Sequence, residues 1–412
     1  MPSPLTGRQP SSLDWRPLLP FIALMVLVAL NLRPALSSMA PMLVRIQQDI
    51  GLSATAIGAL TTLPVLCLGL FAPLAPWLTR RLGAERTLSV ALLLLAVALL
   101  LRANAHPLPL YLGTLLVGAG IGIAGTLLPA LVKRELSQGA DVLTGVYTMA
   151  LCLGGALGAG LSVPLANLLG DWRASLGSWS LLAFIAVIAW RWRMPHPWPT
   201  ERASLSNAPK LRLTHTALAW QVTGYMGSQS ALAYIAFGWL PVLLQRRGMA
   251  EAEAGWLLAA SVMAQLITAL GAPWLARLGR DQRPIILLLL LSTAAGIVVL
   301  LQAPLDWRWH GALLLGLGQG GSFSMALTLI VLRSANSRLA GQLSGMAQGI
   351  GYTLASIGPL LVGILLEYSA GMNLLTGVLL AFVVSAAACA MLAGRRRQLD
   401  LDAQGRLVTT RR

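Results

Sequence analysis

The chain is built from apolar stretches of bilayer-spanning length, separated by short segments that hold nearly all of its charge. A helix rises about 1.5 Å per residue, so a hydrocarbon core about 30 Å thick takes about 20 apolar residues. Inside that core every backbone N–H and C=O must be paired within the protein, which leaves helices or closed barrels. Twelve stretches fit helices: Leu18–Ser38, Ala54–Leu78, Thr87–Leu101, Pro109–Val132, Val142–Leu168, Leu176–Trp190, Thr216–Leu244, Ala254–Ala276, Pro284–Ala303, Gly311–Leu332, Leu343–Leu366 and Met372–Ala393. Thr87–Leu101 and Leu176–Trp190 are short and are expected to extend into their neighbours. The prediction is an all-α membrane protein.

Composition agrees. Of 412 residues, 56% are hydrophobic and 11% charged, against about 25% charged in a soluble protein. The net charge of +16 does not point to nucleic acid, because the basic residues lie in clusters between apolar stretches. Their expected partners are anionic lipid headgroups. Cys67, Cys152 and Cys389 all fall within apolar stretches, an arrangement of buried thiols rather than of disulfides. No cleavable leader is expected, since the first stretch is long for one and lacks a clear small-residue cleavage site.

The connecting segments alternate in charge. One side, which includes the Arg191–His215 linker and the tail from Gly394, carries 23 Lys and Arg. The other carries six: Arg45, Arg102, Arg173, Arg246, Arg247 and Arg308. The positive-inside rule predicts that both termini and the linker face the cytoplasm.

The linker divides the chain into related halves, predicted as six-helix bundles over residues 1–190 and 216–393, joined by 191–215 and followed by a tail over 394–412. Gly51, Gly58 and Pro76 recur as Gly248, Gly255 and Pro273. Ala75-Pro76-Trp77-Leu78 recurs as Ala272-Pro273-Trp274-Leu275, and Arg80 matches Arg277. Gly118, Gly120 and Gly122 recur as Gly316, Gly318 and Gly320. Two parallel repeats of six with a cytoplasmic linker are the major facilitator layout, in which two bundles rock about a midplane site. A monomer is expected.

Three segments carry a closer likeness: NLRPALSSMAPML in the first stretch, FAPLAPWLTRRLGAERTL after the second, and FGWLPVLLQRRGMAEAEAGWLLA at the end of the seventh. With them the chain resembles the cyanate porter branch of the major facilitator superfamily, which includes cyanate and 2-nitroimidazole transporters. The resemblance implies solute transport across a bacterial inner membrane. The superfamily's loop motif, Gly-x-x-x-Asp-Arg-x-Gly-Arg-Arg, survives only as Pro76-Trp77-Leu78-Thr79-Arg80-Arg81-Leu82-Gly83-Ala84-Glu85-Arg86. Arg80 stands at the Asp position, so the gating charge pair of relatives does not carry over unchanged. Arg80, Arg81 and Arg277 are the gating candidates.

Arg33 is the one charge placed inside an apolar stretch by these boundaries, and a buried cation costs a few kcal/mol or more. Its simplest use is to hold an anion or a strongly dipolar solute. It lies about five residues from the end of Leu18–Ser38, roughly 7–8 Å deep, which also admits snorkelling to headgroups. Pro34 breaks one helical hydrogen bond beside it, which is tolerated where a helix faces a cavity. Asn31 points elsewhere on the helix and either joins the site or satisfies the kinked backbone. Ala233 is the counterpart of Arg33 in the second half, so any pocket is one-sided, a cation facing neutral polar groups. Gln221, Tyr225 and Gln229 share one helical face, with Tyr234 beyond them. That face either lines a cavity or makes bonds between helices. Gln265, Gln319, Gln348 and Tyr352 are further cavity candidates.

Several chemistries are excluded. Gly120-Ile-Gly122-Ile-Ala-Gly125 and Gly316-Leu-Gly318-Gln-Gly320-Gly321 imitate dinucleotide motifs, but both lie in apolar stretches and read as seams of close helix approach. No phosphate-binding loop is present, and the four histidines lack metal-ligand spacing, so no enzyme activity, cofactor or metal is expected. Three readings remain: a secondary transporter of a small anion or compact polar solute, an exporter of neutral or anionic compounds, and a receptor or scaffold. The exporter reading excludes the common cationic-drug scheme, which needs a membrane carboxylate. The receptor reading calls for a signalling domain, for which the nineteen residues after Ala393 are too few.

Overall fold

The computed structural model describes residues 19–135, 140–193, 213–278, 281–335, 337–401 and 407–411. Among them are twelve helical spans long and apolar enough to cross a membrane, numbered here in chain order: Leu19–Ile50, Ala54–Phe71, Ala84–Arg102, Pro107–Leu128, Val146–Leu169, Trp172–Arg193, Ala217–Arg246, Glu251–Ala272, Arg283–Gln302, Leu305–Leu332, Gln342–Glu367 and Met372–Ala393. Odd-numbered spans run from the end of the molecule that holds Arg193 and Ala217, called the linker end, to the far end.

The sequence repeat reappears as repeated packing. Span four lies against spans two and three, and span ten against spans eight and nine. Span one packs on span five as span seven packs on span eleven. The glycines explain these seams. A Cβ on Gly118 would sit 2.6 Å from Pro64 Cα, and one on Gly318 would sit 2.2 Å from Thr293 Oγ1. In the two imitations of a dinucleotide motif, a Cβ on Gly120 would sit 3.1 Å from Ala91 O, one on Gly122 3.2 Å from Leu68 Cα and one on Gly320 2.5 Å from Gln265 Cα, so backbones approach closely there, while Gly125 meets nothing within 4 Å. Between the halves, span two packs on span eleven and span five on span eight.

Span one differs from the predicted Leu18–Ser38. Its first helix ends at Leu32, a short helix begins at Pro34, and a 3-10 turn over Ala40–Met42 leads into a last helix, Leu43–Ile50. Gly51, at φ 73°, closes that helix in the left-handed region and donates its N–H to Gln47 O. The sequence reading stopped at Ser37-Ser38, where the apolar run is interrupted. Both serines are fully buried, so the helix continues past them. Arg33 consequently sits near the middle of its span and not near the end.

Two other boundaries change. Ala54–Leu78 is not one helix, since the chain turns after Phe71 and a separate helix, Leu74–Leu82, starts behind Pro73. Thr87–Leu101 extends at both ends, as expected of a short stretch, and takes in Glu85 and Arg102, both buried.

The all-α reading also omits a small β-hairpin. Arg397–Leu401 pairs antiparallel with Leu407–Arg411. Leu399 is fully buried, accepts from Ala335 N–H and donates to Arg333 O, which ties the hairpin to the turn after span ten. Arg333 is buried there, with Nε donating to Ala393 O and Nη2 to Gln282 Oε1, both at 2.6 Å.

Candidate functional site

Arg33 lies where the two halves meet. Its Cζ stands 5.2 Å from the centre of the Phe237 ring on span seven. A Cβ on Gly155 of span five would sit 3.4 Å from both Arg33 Cβ and Val262 Cγ1 of span eight. Gly155 therefore leaves the room through which the arginine stem passes. Arg33 is half-buried, and no ion pair or hydrogen bond among the described residues engages its guanidinium.

Pro34 makes this placement possible. Its missing N–H frees Leu30 O, against which span five comes so close that a Cβ on Gly154 would lie 2.5 Å from it. Ser37 Oγ donates to Gly155 O at 2.7 Å, which pins the segment just after Arg33 to the same neighbour. The kink and the glycine pair thus bring the arginine to the seam between the halves.

Two tyrosines complete the arrangement. Tyr234 and Tyr352 meet edge to face, with ring centroids 6.0 Å apart and planes at 83°. Both are partly buried, and neither hydroxyl has a hydrogen-bond partner among the described residues. Tyr234 and Phe237, three residues apart, share a face of span seven. The result is a permanent cation and two hydroxyls with unused donors, walled by aromatic rings, with no carboxylate among the described residues engaging the arginine. Such a set suits an anion or the negative end of a dipole.

The other sequence candidates go elsewhere. Asn31 is 3% exposed and donates to Leu27 O at 2.7 Å, so it serves the backbone of its own kinked helix. Tyr225 is fully buried, and its hydroxyl donates to Ser322 O on span ten. Gln229 Nε2 donates to Ser230 Oγ at 2.7 Å, while its buried Oε1 has no partner among the described residues. For Tyr225 the polar face of span seven binds helices together and does not line a cavity with Arg33. Gln221 is half-buried and lies sixteen residues from Phe237, roughly 24 Å along the helix. Gln319 donates to Leu232 O at 3.2 Å and faces a separate, apolar pocket within the second half. Gln348 donates to Ser344 Oγ, one turn from Tyr352 on span eleven.

Sequence reasoning missed Phe237, Gly155 and Arg102. Phe237 opens one of the three family-like segments, and Gly155 belongs to a glycine pair. Arg102 follows Leu101 without any turn residue, which was the signal that it belongs to the helix. It is 1% exposed, with Nη1 donating to Ala35 O at 2.6 Å and Nη2 to Ser38 Oγ at 3.3 Å.

The halves are tied at the far end. Arg45 Nη2 lies 2.6 Å from Glu251 Oε2, and Thr55 N–H donates to Glu367 Oε2 at 2.7 Å. A Cβ on Gly58 would sit 3.1 Å from Gly363 Cα, so spans two and eleven touch through backbone. Of the gating candidates, Arg81 is exposed with its guanidinium 4.4 Å from the Trp77 ring, while the side chains of Arg80 and Arg277 lie outside the described residues.

Comparison with known proteins agrees with this architecture. The Major Facilitator Superfamily model matches residues 21–359, and the chain belongs to that family. It is 35% identical to the 2-nitroimidazole transporter of Escherichia coli (strain K12), over 86% of this chain and 90% of that one. It is 31% identical to the cyanate transport protein CynX of the same organism, over 84% and 90%. Among solved structures, a bacterial homolog of the human lysosomal transporter Spinster superposes with a TM-score of 0.76 at 15% identity, covering 93% of this chain and 97% of that one. The resemblance read from NLRPALSSMAPML is thus borne out, and the chain is a multi-pass membrane protein whose relatives are transporters.

Proposed function

We propose that this protein is a secondary transporter that moves a small anion or compact polar solute, cyanate-like or nitroheterocycle-like, across the bacterial inner membrane by alternating access. The observation that carries this reading is the Arg33 guanidinium at the seam between the halves, stacked on Phe237 with no ion pair or hydrogen bond among the described residues, on the side of span seven that also holds Tyr234, whose ring meets Tyr352. A cation held in the interior without a counter-ion is costly, and a substrate that supplies the opposite charge or dipole offsets that cost only while bound. The names of two relatives fit a solute of this kind. Both termini face the cytoplasm in this reading, from the charge asymmetry. The carboxylates within the described spans, Asp49, Glu85, Glu251, Glu253, Asp306 and Glu367, all lie near span ends, so coupling in this reading uses the substrate's own charge, an exchanged anion or no ion, rather than a mid-membrane proton carrier.

The test is substrate binding by purified wild type, Arg33→Ala and Arg33→Lys at matched folding, with cyanate, nitrate and 2-nitroimidazole as probes. Both variants lose binding in this reading, because a lysine does not reproduce the planar fork that grips an oxyanion or nitro group. Near-native binding by both removes Arg33 from the site.

A further inference from the structure

We propose that the pocket between spans one, two and seven is a second binding subsite, for a small monovalent anion, with Arg102 as its cation. The pocket is lined by Ala35, Met39, Thr61, Tyr234, Phe237 and Arg102, among others, and its volume of about 20 Å³ admits one small ion or water. Phe237 also stacks on Arg33, and Tyr234 shares its helix face, so the two cations have an aromatic neighbour in common. Ala35 and Met39 follow Arg33 along span one, and Arg102 ends span three. The pocket therefore lies between Arg33 and the far end.

Arg102 is a costly residue to bury for a structural task alone. Its two hydrogen bonds cap the broken first span, a role that a neutral donor also fills. Among the described residues its buried Nε has no hydrogen-bond partner and no carboxylate pairs with it. The full positive charge is left over, next to a pocket of ion size that Gly238 keeps open beside Thr61. An anion there neutralises Arg102, whose guanidinium has five N–H donors and spends two of them on span one. The inference rests on the proposed transport reading only in placing the subsite on the substrate's route; the anion site itself stands on Arg102.

Bromide is the probe. Crystals of the full-length protein soaked in bromide are expected to show an anomalous peak at hydrogen-bonding distance from the Arg102 guanidinium in wild type and in Arg33→Ala alike. In solution, bromide in place of gluconate is expected to raise the unfolding midpoint saturably in both. Arg102→Met removes the cap of span one and risks misfolding, so the deciding variant is Thr61→Leu, which fills the pocket and leaves the Arg102 hydrogen bonds intact. It is expected to lose both the peak and the saturable shift. Absence of a wild-type peak overturns the proposal, as does a peak that Thr61→Leu leaves in place. A peak without saturable binding in solution means an adventitious ion only and overturns it too. The Arg33 reading fails separately, if Arg33→Ala binds the transported solute normally.

Discussion

Arg33 and Phe237 hold one another across the two halves, with the guanidinium carbon 5.2 Å from the ring centre. A cation over an aromatic face gains about 0.5–2 kcal/mol, more as water is excluded. The contact leaves the five N–H donors at the rim of the guanidinium free, so it orients the group without consuming what a substrate needs. Phe237→Leu keeps an apolar side chain and removes the quadrupole along with some ring volume. It is expected to weaken solute binding by about five-fold, equivalent to about 1 kcal/mol, while Phe237→Trp retains it. Equal affinities for wild type and Phe237→Leu in a titration of purified protein would show the contact to be incidental.

The far-end ties predict a shift in access. Arg45 and Glu251 are 34% and 20% exposed, so their pair contributes about 0.2–1 kcal/mol to the state in which the far ends touch. Glu251→Gln is expected to raise far-side labelling of a cysteine placed at Thr61 by about two- to five-fold. The charge exchange Arg45→Glu with Glu251→Arg is expected to restore slow labelling. Labelling that ignores both changes would assign far-end closure to the backbone contact of Gly58 with Gly363 alone.

The glycine seams predict opposite outcomes for one substitution. A Cβ on Gly316 would lie 2.1 Å from Ser261 O, so Gly316→Ala forces spans eight and ten apart and is expected to cost about 1–3 kcal/mol. A Cβ on Gly377 of span twelve meets nothing within 4 Å, so Gly377→Ala is expected to be neutral or stabilising by up to about 1 kcal/mol. Unfolding midpoints in detergent distinguish them, and a matched loss in both would mean that general helix strain outweighs the seam.

Reporter fusions after Arg412 and within Arg191–His215 are both expected to report the cytoplasm, from the 23-to-6 distribution of Lys and Arg. A reporter active on the other side of the membrane at either position would reverse the orientation used in the proposed function.

The sequence by itself determined the number of helices that can cross a membrane, their rough limits and the kinship of the two halves, because these depend on hydropathy and on spacing along the chain. It also singled out Arg33, Tyr234 and Tyr352, since a charge or hydroxyl in an apolar stretch is visible without a fold. It did not determine depth. Ser37 and Ser38 looked like a boundary, yet neighbouring spans bury them, and that moved Arg33 from the rim to mid-span. Partners were equally hidden. Tyr225 and Tyr234 are alike as residues on one helix, but Ser322 O occupies the first hydroxyl and nothing among the described residues occupies the second. Arg102 read as a loop charge until spans one, two and seven closed over it. Whether a polar group is spent on the fold or left for a ligand depends on what the other helices place beside it, and only the tertiary structure decides that.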